Sequence, residues 1–140
     1  MTENYIPRLY NYNLETGTVG TDNEDMANIL YSINRMETTA AIKSEDHTAM
    51  IKTVNDAFTL LTDCNVSFDH FNNANKDKID QSVFSAVSTV FSAEQKKLMN
   101  AFVTLAPADQ CAALLTDSYR NVLSVIPSLQ KLDDQAAGRI

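Results

Sequence analysis

The chain has 140 residues and a net charge of −7 at neutral pH. This length fits a single domain that buries about 70% of the surface its unfolded chain exposes. The eleven basic residues are scattered, which argues against nucleic acid or an anionic membrane surface as a partner, because both attract clustered Lys and Arg. No apolar run approaches the ~18 residues of a membrane span.

Glycine and proline are unusually rare in this chain. There are three of each, and no glycine stands between Gly20 and Gly138. A long stretch without these turn residues is typical of helices joined by short polar connections. We therefore predict an all-α fold, a compact bundle of about five helices with an extended N-terminal arm.

The most strongly patterned segment is residues 108–126. Wound as an α-helix, its apolar residues cover about half of the circumference, which is wider than the ~100° stripe of a surface helix. Such a helix needs neighbours on more than one side, so we predict that it is the spine of the bundle. Pro127 should close or kink it.

The N-terminal segment has a different composition. Residues 1–20 contain two of the three glycines and three of the five tyrosines. Alternation of apolar residues with asparagines at residues 10–14 is typical of an extended segment. We predict an extended arm at 1–20, a helical bundle at 21–134 and a frayed tail at 135–140. The predicted partner-binding residues all lie in the arm and are Tyr5, Ile6, Leu9, Tyr10, Tyr12 and Leu14.

The sequence leaves three placements of this arm open. The simplest is an arm that lies across its own bundle. An arm that reaches onto a neighbouring subunit or another protein is the second, since exchange of a terminal segment is a low-cost route to oligomers. The third is disorder.

Cap signals divide the first half of the bundle. Thr21 begins a capping box, and Ser44 precedes two carboxylates, so each is a predicted N-cap. The second helix is expected to end near Thr62. Residues 63–66 are predicted to form a connection and residues 67–71 a short turn of helix.

Two helices are predicted between the asparagine-rich segment after residue 71 and the spine that begins at residue 108. Apolar residues at spacings of three and four indicate one helix at 79–91 and another at 93–105. Ser92 and Gln95 form a capping-box pattern that separates them. The apolar residues expected to line the second of these helices are Leu98, Met99, Ala101, Phe102 and Leu105.

Few residues offer reactive chemistry. Cys64, Asp69 and His70 are close in sequence, but a zinc site normally has four ligands in paired spacings and no second pair exists. Cys111 falls on the apolar face of the spine, where thiols are usually inert, and no signature pairs either cysteine with His47 or His70. We predict no metal, no cofactor and no enzymatic activity.

These features favour a protein that works through protein contacts. We predict a self-associating homo-oligomer or assembly subunit in the reducing cytoplasm, or in a virion, since the composition is compatible with a viral or phage component. One alternative is an acidic inhibitor of a nucleic-acid enzyme that binds its basic groove. A second is a helical domain that binds a small molecule inside the bundle.

Overall fold

The computed structural model describes residue 21 and residues 23–138, so the predicted arm at 1–20 lies outside the described residues. The all-α prediction is confirmed for the described part of the chain. Its helical segments are α1 (Glu24–Ala40), α2 (His47–Asn75), α3 (Gln81–Thr104), α4 (Ala108–Leu123) and α5 (Ile126–Ala136). The last two are pieces of one fourth helix, divided at Ser124 and Val125, and the four helices form a compact bundle.

The helices run alternately up and down, which gives the bundle two distinct ends. The turn end carries the 41–46 loop and the α3–α4 turn at 105–107, where His47 contacts the Leu105 carbonyl. The terminal end carries the 76–80 loop and the last turns of α5. There the Asp80 amide donates to Gln135, and Thr21 donates to Asp133.

The predicted spine does occupy a position with several neighbours. α4 packs against α1, α2 and α3, which explains why its apolar face is broad. Its fully buried stripe is Cys111, Leu115, Ser118 and Val122. The helix nevertheless ends at Leu123, before the predicted Ile126, and Pro127 lies in the first turn of α5, where a proline without an N–H is tolerated.

The predicted connection at 63–66 is wrong, because α2 is continuous across it. Cys64 is fully buried and lies on the same stripe as Leu61 and Phe68, at helical spacings of three and four. Asn65 looked like a turn residue, but its side-chain amide donates to Gln95 of α3. Asparagine favours loops by local propensity, but here its side chain makes a hydrogen bond to another helix, and the residue stays within α2.

The predicted boundary at residues 92–95 is also wrong, because α3 runs through it. Neither Glu94 nor Gln95 serves as a cap. Glu94 is 3% exposed and accepts hydrogen bonds from Ser118 and Asn121 of α4. Gln95 donates to Thr62 of α2. These polar side chains join neighbouring helices instead of starting a new one.

Both predicted N-caps are displaced by two residues. Asn23 caps α1 and Asp46 caps α2, each through a side-chain oxygen that accepts a backbone N–H. The predicted cap residues lie two positions earlier in the chain, where the Thr21 and Ser44 hydroxyls accept hydrogen bonds from the Asn23 and Asp46 amides. At the other terminus α5 extends to Ala136, two residues beyond the predicted bundle boundary.

Candidate protein-binding surface

Large apolar side chains are exposed along the last turns of α3 and in the turn that follows it. We call this surface the end patch; its residues are Met99, Phe102, Val103 and Leu105, with exposed fractions of 41%, 39%, 68% and 61%. Positions 99, 102 and 103 are spaced by three and four residues, so they share one side of the helix. Clustered exposure of this kind is typical of interaction surfaces.

The sequence placed most of these residues in the core, and that interpretation is only partly right. Leu98 and Ala101 are buried as expected, whereas Met99, Phe102 and Leu105 are exposed. The buried stripe of α3 passes through Glu94, which is polar and therefore concealed the true core face. A helical spacing that includes Glu94 would have placed Met99 and Phe102 on a neighbouring stripe.

The turn that presents Leu105 has an unusual backbone. Leu105 has φ 53° and ψ 52°, and it is the only non-glycine residue of positive φ among the described residues. This left-handed position normally belongs to glycine, and a side chain there costs about 1–2 kcal/mol. The Ala106 amide donates to the Ala101 carbonyl at 3.0 Å, which closes the end of α3.

His47, the first residue of α2, contacts this turn through its side chain. Its Nε2 lies 3.1 Å from the Leu105 oxygen and 2.9 Å from the Ala106 oxygen. Because carbonyl oxygens only accept, Nε2 must carry the proton that is shared between them. A strained turn fixed by a side chain 58 residues away in sequence keeps Leu105 directed outward.

We predict that Leu105→Gly stabilises the fold and weakens any contact made by the end patch. Glycine removes the left-handed strain but adds backbone entropy to the unfolded chain, so the net gain is about 0.5–1 kcal/mol. Urea denaturation at one fixed, low protein concentration measures it. Leu105→Ala is the matched control, since it also loses the apolar side chain but keeps the strain; equal stability of the two variants would contradict this account.

A surface cleft lies beside the same turn. Its volume is about 490 Å³, and its lining comes from the 41–46 loop and the first turns of α4: Lys43, Ser44, Glu45, Ala108, Asp109 and Ala112. Lys43 also donates to Thr116, which ties the loop to α4. The cleft mixes both signs of charge with small apolar side chains, an arrangement that lacks a set of convergent polar groups for one ligand class.

The two thiols are buried inside the bundle. Burial raises the pKa of Cys64 to about 12 and that of Cys111 above its usual value. The Cys64 thiol donates to the Ile29 carbonyl, and the Cys111 thiol donates to the Ala106 carbonyl. Because the thiolate is the reactive form, neither group is prepared for nucleophilic chemistry at neutral pH.

The residues weighed as metal ligands do not converge. Cys64 is buried while Asp69 and His70 are exposed. Within the described residues no group of three or more His, Cys, Asp or Glu side chains is arranged to hold a metal ion. His70 instead pairs with Asp25 of α1, with 2.6 Å between Nδ1 and Oδ2.

The His70–Asp25 pair predicts a pH-dependent stability. The hydrogen bond and the charge of Asp25 raise the pKa of His70 above 6.5, so the pair stabilises the fold below that pH and the effect disappears as pH rises through the raised value. Thermal unfolding should show wild type above His70→Gln at about pH 5.5, with the difference closing by about pH 8.5. In an Asp25→Asn background, His70→Gln should no longer lower the unfolding temperature at low pH. A difference between wild type and His70→Gln that grows as pH rises would contradict this role of the pair.

No family model, curated protein or solved structure matches this chain. A functional assignment therefore depends on the residues themselves. None of the described helices is long and apolar enough to cross a membrane. The predicted partner-binding residues of the arm, Tyr5 to Leu14, lie outside the described residues, so their role stays a prediction.

Proposed function

We propose that this protein is a non-enzymatic assembly subunit that self-associates through the end patch. The observation that carries the proposal is the grouping of four large exposed apolar residues at one end of an otherwise well-packed bundle. Water contact with such a surface is unfavourable, by roughly 25 cal/mol for each Å² that a partner could cover.

Two further features support this proposal. The exposed residue Leu105 has a left-handed backbone conformation, which is strained for a residue with a side chain. Strain of this kind is concentrated at functional positions. The buried polar side chains of the described residues all have hydrogen-bond partners. Glu94 of α3 and Ser118 of α4, for example, are hydrogen-bonded to each other inside the bundle, so these buried polar groups are not available to a partner.

Sedimentation equilibrium on two matched valine variants tests the proposal. Val103 of the end patch and Val66 of α2 are 68% and 66% exposed, so they differ in location but hardly in exposure. We expect a mass above the 15.5 kDa of one chain for wild type. Val103→Ser should weaken association by about tenfold or more, and Val66→Ser should leave it unchanged.

Two results would contradict the proposal. One is a wild-type mass that stays at one chain across the accessible concentration range. The other is equal weakening by both valine variants, which would mean that a general loss of surface hydrophobicity, and not the end patch, controls association. Circular dichroism of each variant verifies that the helices are intact.

A further inference from the structure

The solvent-facing side of α3 is continuous from the second turn of the helix to the end patch. Six residues follow one another along it at spacings of three and four: Ser85, Thr89, Ser92, Lys96, Met99 and Val103. At about 100° per residue they span roughly a quarter of the helix circumference. This side lies opposite to the buried stripe of α3, and it changes along its length from small, polar residues to large, apolar ones.

The small residues form a shallow groove, which we call the α3 groove. It has a volume of about 410 Å³, lies between Phe84 and Lys96 and is lined by small side chains such as Ser92. The Thr89 hydroxyl in this groove already has a partner, since it donates to the Ser85 carbonyl at 2.9 Å. Small residues let a second helix approach closely, and large side chains of that helix then fill the space between them.

The end patch alone is too small to hold two chains together. Its four side chains are on average about half exposed, which gives roughly 400 Å² of surface at about 200 Å² for each large side chain. A stable interface covers about 800 Å² on each partner. When the patch of one copy lies in the α3 groove of the other, each copy contributes both surfaces, and the covered area roughly doubles to the size that a stable dimer needs.

Charge favours a second copy as the occupant of the α3 groove. The chain has a net charge of −7, so two copies repel each other over most of their surface. Among the described helical segments α3 is the exception, because its one acidic residue, Glu94, is buried. Each of the other four carries a carboxylate that is not buried: Glu24, Asp56, Asp117 and Asp134. A basic partner is attracted to those segments, whereas an equally acidic copy meets the least repulsion on α3.

We propose that two copies associate through antiparallel α3 helices, with the end patch of each copy in the α3 groove of the other. This inference rests on the proposed function and identifies the surface that receives the patch. The groove is centred near residue 90 and the helical part of the patch near residue 101, so the twofold axis passes near Lys96. Met99 then faces Ser92 and Val103 faces Ser88, a large side chain against a small one each time. Each contact forms twice under this symmetry, which is the commonest in soluble oligomers.

Disulfide cross-linking tests the position of the axis. A residue on a twofold axis meets its own copy, so Lys96→Cys should give a disulfide-linked dimer on mild oxidation. Val103→Cys should not, because the two copies of that residue lie about 20 Å apart along the helices. Val66→Cys, at a position 66% exposed on α2, measures random collision. Wild type, whose Cys64 and Cys111 are buried, gives the background.

Two matched threonine variants test the α3 groove. Thr89 and Thr59 are both exposed within a helix, and each hydroxyl donates to the carbonyl four residues earlier, that of Ser85 or Asn55. Thr89→Glu places a carboxylate in the contact with the patch, so we expect sedimentation equilibrium to show association weakened by about tenfold or more. Thr59→Glu adds the same charge on α2 and should change association by less than about twofold.

The outcomes separate this inference from the proposed function. Two results would overturn the antiparallel arrangement while leaving self-association through the end patch intact. One is Lys96→Cys that cross-links no more than Val103→Cys or Val66→Cys, and the other is equal association of the Thr89→Glu and Thr59→Glu variants. A monomeric wild type would overturn both proposals. Circular dichroism verifies that the helices of every variant are intact.

Discussion

Replacement of Glu94 by alanine is expected to lower the free energy of unfolding by about 2–3 kcal/mol. Glu94 is 3% exposed, and its Oε1 accepts from the Ser118 hydroxyl at 2.9 Å. Its Oε2 accepts from Lys97 at 3.0 Å and from Asn121 at 3.3 Å. Without the carboxylate, the fully buried Ser118 hydroxyl loses its acceptor, whereas half-exposed Lys97 can be solvated by water.

A double-mutant cycle with Ser118→Ala separates this effect from lost packing. Because the double variant leaves no unpaired hydroxyl, it should cost less than the sum of the single changes, with a coupling of about 1 kcal/mol. Glu45→Ala is the exposed control and should stay within about 0.5 kcal/mol of wild type. Urea denaturation measures all four variants. Additive single effects would mean that the Glu94–Ser118 contact adds no stability of its own.

Truncation of Phe68 should have the largest effect on stability, about 3–5 kcal/mol for Phe68→Ala. Phe68 is fully buried in α2. Its ring centroid lies 4.6 Å from that of Phe84 and 5.6 Å from that of Phe91, both on α3. The substitution opens a cavity where α2 and α3 pack, and neighbouring rings refill it only partly.

Phe102→Ala is the control for the same change of residue type. Phe102 is 39% exposed on the end patch, so its truncation should alter the unfolding free energy of the monomer by less than about 1 kcal/mol. Both proteins are compared at one low concentration, because self-association would add concentration-dependent stability. A Phe68→Ala variant as stable as Phe102→Ala would be incompatible with the α2–α3 core described above.

The helical fold could be predicted from the sequence because its signals are local. The scarcity of glycine and the three–four spacing of apolar residues both act within a few turns, and both indicate helix. The predicted helix boundaries were wrong where a polar side chain makes a hydrogen bond between two helices. Asn65 and Gln95 resemble a turn residue and a capping-box residue, but each bonds a helix that is distant in sequence, and no local pattern encodes that contact.

The end patch was harder to predict for a related reason. Burial depends on which stripe of α3 faces the bundle. Because residues 92–95 were predicted to form a helix boundary, Glu94 was not placed on that stripe. The left-handed conformation of Leu105 had no sequence signal either, since glycine or asparagine normally marks it. His47, which fixes this turn, is 58 residues away along the chain. The arm, in contrast, was singled out by composition alone.

Methionine methyl NMR tests most directly whether the end patch is where this protein associates. Met99 is 41% exposed on the patch, whereas Met26, Met36 and Met50 are buried and serve as internal controls. On dilution from the associated to the monomeric state, we expect the Met99 methyl resonance to shift while the three buried methyls stay in place. A Met99 resonance that does not move through a dissociation seen by sedimentation would contradict the account.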